Sequence, residues 1–434
     1  MSPLMLAGGL ALISLLLPNR ALIVLSVLGV MLADTPLVPK QAIYFTRFVP
    51  SGVLALRAFQ LMLSRGTARS HLVVKAWLPF ILLSFVSVGY SIDSSLSTQR
   101  LISAAFLLLG FGIGIPLFFP RNADHQGLVR LIALLLGSAV LYSLYVTTVG
   151  GSSFDTSIHG RTSGVFRNPN TLGLMAMQAA FLVAYWWQKE TGNRRRLLFV
   201  ALFSIIAVLL LTGSRASALG LAVGAIVYVR LKARLEGRIL RYLFQLSVLA
   251  LVAFVITDAV FPSFLDSLLR VETSSRTILW ERAWVLAQDR LLLGVGFAAS
   301  DSVFQADVRY LQSIGVFFSG PHSSLMRLLV DLGLIGVVLA IWAFFRILHQ
   351  AWRYMPYFDD PLLGTTLYAS LTASLTNSLF ESWLFGFGSA PTVPFWLLIA
   401  LLSHQTDVAR QKVAAWQRYQ AKASLVPMMQ SRGP

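Results

Sequence analysis

The chain is written mostly in long apolar runs separated by short polar or basic connections. Such runs occur near residues 4–17, 21–35, 42–64, 71–92, 100–119, 127–149, 170–187, 197–212, 216–231, 243–261, 325–347, 362–382 and 390–404. Many approach the ~20 apolar residues that an α-helix needs to cross hydrocarbon. They lack the strict alternation of a barrel strand, as the stretch Leu197–Leu211 illustrates. In lipid every backbone N–H and C=O needs a partner within the protein, so uninterrupted apolar runs of this kind predict helices. The first two runs are separated only by Pro18-Asn19-Arg20 and read as a tight hairpin or one irregular element. The expected fold is therefore all-α: a polytopic membrane helical bundle of about twelve spans. The divisions expected are helices over 1–261, a large loop over 262–324, further helices over 325–404 and a basic tail over 405–434.

Composition agrees with this picture. Of 434 residues, 56% are hydrophobic and only 12% charged, about half the charged fraction of a soluble domain. A soluble enzyme is excluded on this ground. The sequence has no cysteine, which rules out disulfides, a thiolate nucleophile, a cysteine zinc site and an iron–sulfur cluster. The first apolar run lacks a basic leader and is followed at once by a second, so no cleavable signal peptide is expected. The net charge of +17 is attributed to cytoplasmic loops and anionic lipid headgroups rather than to nucleic acid.

The basic residues orient the chain. Lys189 to Arg196, Arg230 to Arg241, and the tail carrying Arg410, Lys412, Arg418 and Lys422 all read as cytoplasmic, and the spans between them keep the parity consistent. Three connections then fall on the opposite face: the loop around 150–168, the turn at 212–216 and the long loop 262–324. The long loop is not disordered by composition. Leu279, Ala283, Leu286 and Ala287 recur at helical spacing, which predicts an amphipathic helix on or near the membrane surface over 275–293.

The outward face also carries arginines that topology disfavours: Arg161, Arg167, Arg215, Arg270, Arg276, Arg282 and Arg290. Arg270, Arg282 and Arg290 have Glu272, Glu281 and Asp289 nearby and read as surface pairs. Arg215 has no acidic neighbour in sequence and sits between two apolar helices, where an ionisable group reads as functional. Arg161 reads the same way, with Asp155 as a possible counter-ion. Arg276 opens the loop helix, where the dipole disfavours a cation, so another anion is expected to hold it. The planar guanidinium fork suits the oxygens of a phosphate. Of the six histidines, His71, His125, His349 and His404 receive no role, and His159 reads as an exposed polar residue. His322 lies in Ser319-Gly320-Pro321-His322-Ser323-Ser324, where the loop re-enters the bundle, and a neutral imidazole there could take a proton from a hydroxyl. No His and carboxylate set has metal-ligand spacing, and no phosphate-cradling nucleotide motif occurs, so neither a metal cofactor nor an ATP-driven pump is expected.

Four sequence pieces, in order, resemble the bacterial O-antigen ligase and O-antigen polymerase superfamily of inner-membrane glycosyltransferases. They are Gly160-Arg161-Thr162-Ser163-Gly164-Val165-Phe166 with Asn168-Pro169-Asn170; Leu211-Thr212-Gly213-Ser214-Arg215-Ala216-Ser217; Arg276 with Trp280 and Ala283, ending at Leu293-Gly294-Val295-Gly296; and His322-Ser323, nine residues, Gly333, two residues, Gly336. The last spacing is similar to the ligase signature. The resemblance spans about 155–340. It implies a GT-C-like, metal-independent enzyme with its large loop and active site in the periplasm and its C-terminus in the cytoplasm. The implied reaction moves a glycan from undecaprenyl diphosphate to a sugar hydroxyl of lipid A–core, with inversion, in lipopolysaccharide assembly. Carried onto this sequence, Arg215 and Arg161 would bind the diphosphate, Arg276 would be a third clamp and His322 the general base. Asn168 and Asn170 would contact sugar or phosphate, or simply cap a helix. The alternatives are an O-antigen or exopolysaccharide polymerase with the same chemistry, an enzyme that transfers oligosaccharide to protein, and a transporter of a polyprenyl-linked glycolipid. A transporter should show ionisable residues near mid-span and broken helices.

Overall fold

The computed structural model describes residues 3–36, 40–65, 71–149, 157–158, 161–238, 275–309 and 320–430. The apolar segment 243–261, together with His159, Asp155, Arg270 and Glu272, lies outside the described residues. Every other predicted apolar segment lies largely on a helix, though 71–92 and 362–382 run past the ends of theirs at Val88 and Ser378. In chain order the described helices are α1 (Pro3–Leu16), α2 (Asn19–Ala33), α3 (Lys40–Arg65), α4 (Leu72–Val88), α5 (Ser94–Leu107), α6 (Gly114–Phe118), α7 (Asn122–Val149), α8 (Pro169–Lys189), α9 (Gly192–Leu211), α10 (Arg215–Glu236), α11 (Ser275–Gln288), α12 (Ser300–Ala306), α13 (Ser324–Tyr354), α14 (Pro361–Ser378) and α15 (Thr392–Gln430). A π-turn over Leu108–Ile113 joins α5 to α6. The only described strands are the two-residue β1 (Ser157–Ile158) and β2 (Arg161–Thr162), paired antiparallel.

Local chemistry sets several helix ends. Asp93 starts α5, its carboxylate accepting from Leu96 N–H at 3.0 Å. Asn168 caps α8 with Pro169 behind it, a residue whose missing N–H costs nothing in a first turn. Ser214 caps α10, and Gly237, at φ 67°, ends it.

Among the described residues, four helical stretches are long and apolar enough to cross a membrane: Ser94–Phe118, Asn122–Val149, Arg215–Glu236 and Ser324–Tyr357. α2 and α4 are shorter apolar helices. Their outward faces are apolar too. Leu82, Phe85 and Val86 on α4, Leu197, Phe199, Val200 and Phe203 on α9, and Val338, Ile341 and Phe345 on α13 are all exposed. Water would penalise so continuous an apolar surface, whereas lipid would not.

The core is aromatic where α4, α13 and α15 meet: Trp77, Phe80, Phe344, Phe385, Phe395 and Trp396 interleave with mostly edge-to-face contacts. Elsewhere small residues let backbones touch. A Cβ on Gly220 of α10 would come within 2.7 Å of the Ala373 carbonyl on α14, and one on Gly224 within 2.9 Å of the Ala369 carbonyl. This small-xxx-small seam brings α10 against α14.

The largest irregularity is in α13. At Gly333 (φ 64°, ψ −165°) the helix is broken and kinked. The segment after α11 threads into that break. Leu334 N–H donates to Leu291 O at 2.8 Å and Ile335 N–H to Leu292 O at 3.3 Å, while Val295 N–H and Gly296 N–H each donate at 2.9 Å to Val330 O and Asp331 O. Both crossing points are glycines with positive φ, Gly294 and Gly333. A Cβ on either would overlap the other strand's backbone. Gly294→Ala should therefore destabilise the folded chain by about 2 kcal/mol or more, read as a lower midpoint in thermal unfolding of the detergent-solubilised protein.

The described part of the long loop does not stand apart. Leu279, Ala283 and Ala287 of α11 bury with Val295, Ala299 and Phe304 against Leu329 and Val330 of α13. The predicted helix is present but ends at Gln288 rather than 293, where the chain turns toward Gly294; of its predicted face Leu279, Ala283 and Ala287 are buried and Leu286 is half-buried. Its other face departs from the amphipathic expectation, since Ile278, Trp284 and Val285 are exposed there.

Candidate functional site

The three connections expected on one face meet at one end of the bundle. β2 brings Arg161 and the first turn of α8 brings Asn170; the α9–α10 turn brings Thr212 to Arg215; the start of α11 brings Arg276; the entry to α13 brings His322. They gather around a residue that sequence reasoning missed, Glu381.

Glu381 is the hub. One carboxylate oxygen, Oε1, accepts from Arg276 Nη2 at 2.7 Å and from Asn170 Nδ2 at 2.8 Å. The other, Oε2, lies 3.8 Å from His322 Nδ1. The side chain retains only 12% exposure, so both interactions act with little screening by water. The predicted span 362–382 ran too far: α14 stops at Ser378, and Glu381 stands in the turns beyond it. A lone carboxylate at the end of an apolar run was the available signal.

Arg161 reaches across the cluster. Its Nε donates to Thr212 O at 2.8 Å, and Nη2 donates to Asn170 Oδ1 at 2.6 Å. Thus Asn170 bridges an arginine and the carboxylate with its two amide ends. Burial pulls the Arg161 guanidinium below its ordinary proton affinity; the Glu381 carboxylate opposes this, and the positive charges of Arg276 and Arg215 add to it. Arg276 has the anion expected for it. Arg282 is paired as expected, but with Asp307, through Nη2–Oδ1 at 2.8 Å, rather than with Glu281.

Arg215 is the first residue of α10 and is exposed. Among the described residues it has no ion pair. Its position is fixed from below. Ser214 Oγ and Ser217 Oγ lie 2.9 Å apart, Asn377 Nδ2 donates to Ser217 Oγ at 3.1 Å, and Trp383 Nε1 donates to Asn377 Oδ1 at 2.8 Å. This buried chain ties the Arg215 turn to the Glu381 turn. Asn168, by contrast, is spent as the cap of α8, accepting from Asn170 N–H at 2.8 Å. Arg167 also turns elsewhere, to Thr35 O at 3.2 Å.

His322 does not cap its helix; Ser323 does, accepting from Met326 N–H. His322 has φ 43°, a left-handed conformation that non-glycine residues seldom adopt. Such strain persists where surrounding structure enforces it and is frequent at functional sites. Part of the enforcement is Ser324, whose Oγ donates to Glu381 O at 2.7 Å and accepts from Leu384 N–H at 3.2 Å. The indole of Trp280 faces Phe380 beside the hub, at 6.2 Å between ring centroids. Its N–H is buried with no hydrogen bond among the described residues.

At the far end of the bundle, about 30 Å along α8 from Asn170, stand Lys189 with Asp360 at 3.0 Å and Arg130 with Glu190 at 3.7 Å. The predicted cytoplasmic basic clusters and the arginine cluster thus occupy opposite ends. Among the described residues no group of three or more His, Asp or Glu is arranged to hold a metal.

The site is Arg161, Arg276 and His322 gathered about the Glu381 carboxylate, with Arg215 beside Arg161, at the end of an apolar helical bundle. Comparison with known proteins shows what the chain is similar to. Residues 200–341 match the family model described as O-Antigen ligase. The protein of Rickettsia felis (strain ATCC VR-1525 / URRWXCal2) named "Putative polysaccharide ligase" is 23% identical over 294 residues, covering 65% of this chain and 68% of that protein. The resemblance to the O-antigen ligase type of family is shown by these two matches. They support a ligase- or polymerase-type role in polysaccharide assembly.

Proposed function

We propose that the chain is an O-antigen ligase that transfers a glycan from undecaprenyl diphosphate to a sugar hydroxyl of lipid A–core. It works as an inner-membrane protein of about twelve spans, with the Glu381 cluster at the periplasmic face and the C-terminus in the cytoplasm. The observation that carries this reading is one cluster at one end of the bundle: Glu381 holds Arg276 and lies 3.8 Å from His322, Asn170 bridges it to Arg161, and Arg215 stands close enough to Arg161 for their charges to interact.

The charges fit the donor. Three guanidiniums against Glu381 leave two positive charges in excess, the complement of a diphosphate diester with one negative charge per phosphate. Arg215, exposed and without an ion pair among the described residues, is the arginine most ready to receive a phosphate. Arg161 and Arg276 keep their present partners and add field and further N–H donors. In the reaction the acceptor oxygen attacks the anomeric carbon from the side opposite the diphosphate. The carbon–oxygen bond to the diphosphate breaks, its electron pair stays on the leaving oxygen, and the configuration inverts. The guanidiniums stabilise the charge growing on that oxygen. His322 takes the hydroxyl proton; with Nδ1 turned to Glu381, Nε2 is the accepting nitrogen, and Glu381 steadies the imidazolium that forms. Asn170 holds Arg161 and Glu381 in register.

Glu381→Gln keeps the shape and removes the charge. It should lower kcat by roughly ten- to a hundredfold, the worth of a charged buried hydrogen bond, without raising the KM for donor, since Arg276 is then freer to meet phosphate. Steady-state rates with purified donor and acceptor read both constants. A merely structural role would raise KM along with the fall in kcat.

The deciding experiment for function is electrophoresis of lipopolysaccharide from cells lacking the gene. A ligase leaves bare lipid A–core, with polymerised glycan retained on its lipid carrier. A single repeat unit on the core would assign the polymerase reaction instead, and a normal ladder would refute both.

A further inference from the structure

Below the Glu381 cluster the kinked α13 leaves an apolar groove of about 280 Å3. Its walls come from both sides of the break at Gly333: Leu325 and Leu328 before it, and Val337, Ile341 and Phe345 after it. Leu375 of α14 lies opposite. The lining is apolar except at Ser324 and Ser378. Both hydroxyls are already satisfied within the protein, Ser324 by Glu381 O and Ser378 by Leu375 O, at 2.7 Å each. Neither hydroxyl therefore has its proton free for a ligand. It is open to the side, since Ile341, Phe345 and Leu379 on its rim are exposed.

We infer that this groove holds the isoprenoid chain of the lipid-linked donor; the inference rests on the donor proposed above. Three observations select that occupant. The first is continuity. Ser324, at one end of the lining, is two residues from His322 and is hydrogen-bonded to the backbone of Glu381, so one molecule can place an anionic head among the arginines and an apolar tail in the groove. The second is charge complementarity at the head: the cluster carries an excess of positive charge, and an uncharged lipid would leave it unanswered. The third is shape. A volume of about 280 Å3 holds roughly the first two isoprene units of one linear chain, those next to the diphosphate, and leaves no room for the several acyl chains of a lipid A acceptor. The paired glycines acquire a reason as well. Gly294 and Gly333 permit the backbone crossing that breaks α13, and the break opens the groove beneath the reacting groups.

The test uses two donors with the same glycan diphosphate, one on the full-length polyprenyl chain and one whose chain is cut to a single methyl group, too short to enter the groove. Val337→Trp and, separately, Leu375→Trp fill the groove from opposite walls. Each should raise KM for the long-chain donor roughly tenfold and leave the kinetics of the short-chain donor unchanged. Equal effects on both donors, or a rise in KM for the acceptor alone, would overturn the assignment. Wild-type protein that turns over neither donor would overturn the donor reading and the groove with it. A second measurement does not depend on either variant folding. A diazirine on the polyprenyl chain of undecaprenyl diphosphate should label wild-type peptides within 325–345 and 375–385; labelling confined to other helices would refute the groove.

Discussion

His322→Ala should bind the donor as the wild type does and fail to transfer the glycan, with kcat lower by roughly a hundred- to ten-thousandfold. The imidazole is assigned the one proton that must leave the acceptor hydroxyl, and among the described residues the other side chains of the cluster are guanidiniums, a carboxylate engaged by two donors and amides. None of these is a comparable base near neutrality. Because His322 stands at φ 43°, an alanine there keeps the backbone strain while losing the ring. His322→Asn supplies the control, since asparagine accepts left-handed backbone more readily. Both variants should be inactive, and both should be as stable as the wild type to within about 1 kcal/mol. Single-turnover transfer measured beside donor binding separates the two steps. An Asn variant with wild-type turnover would remove proton abstraction from His322.

The second large effect belongs to Arg215. Arg215→Lys should lower turnover on the order of a hundredfold, because an ammonium keeps the charge and loses the fork that holds two phosphate oxygens. Stability should move the other way or not at all. Arg215 is exposed at the N-terminus of α10, where the helix dipole disfavours a cation, and among the described residues it has no ion pair to lose. Arg215→Ala should accordingly unfold at the same temperature as the wild type or slightly higher while being inactive. A residue kept at a cost to its own helix, and needed only for transfer, is what a phosphate ligand should look like. Normal turnover by Arg215→Lys would refute two-point phosphate binding.

Much of this was legible in the sequence, for physical reasons that also mark where legibility ended. Apolar runs must become helices when no water is present to satisfy the backbone, so the helices could be placed from hydropathy alone. Arg161, Arg215 and Arg276 stood out because each violates a topological or electrostatic rule, and His322 because a proton-accepting imidazole follows the Gly-Pro turn where the loop re-enters the bundle; the structure brings all four to one end. Asn168 and Asn170 looked alike in sequence, yet one caps α8 and the other bridges Arg161 to Glu381. Only the direction of each side chain separates them. Glu381 was hidden because the apolar run of α14 continues in Leu379 and Phe380, past the helix end at Ser378. The outer face of α11 was misjudged because periodicity identified its buried residues without fixing what the remaining face would meet. Gly294 and Gly333 read as ordinary turn and signature glycines, since the backbone each must clear is some forty residues away in the chain.

The guanidinium cluster is assigned the grip on a diphosphate, and a direct binding measurement tests that grip. Purified protein in lipid nanodiscs should be titrated with undecaprenyl diphosphate and with undecaprenyl monophosphate, which share the same chain. The diphosphate should bind at least roughly tenfold more tightly, and Arg215→Lys should abolish that preference. Equal affinity for the two lipids in the wild-type protein would refute diphosphate recognition by the cluster.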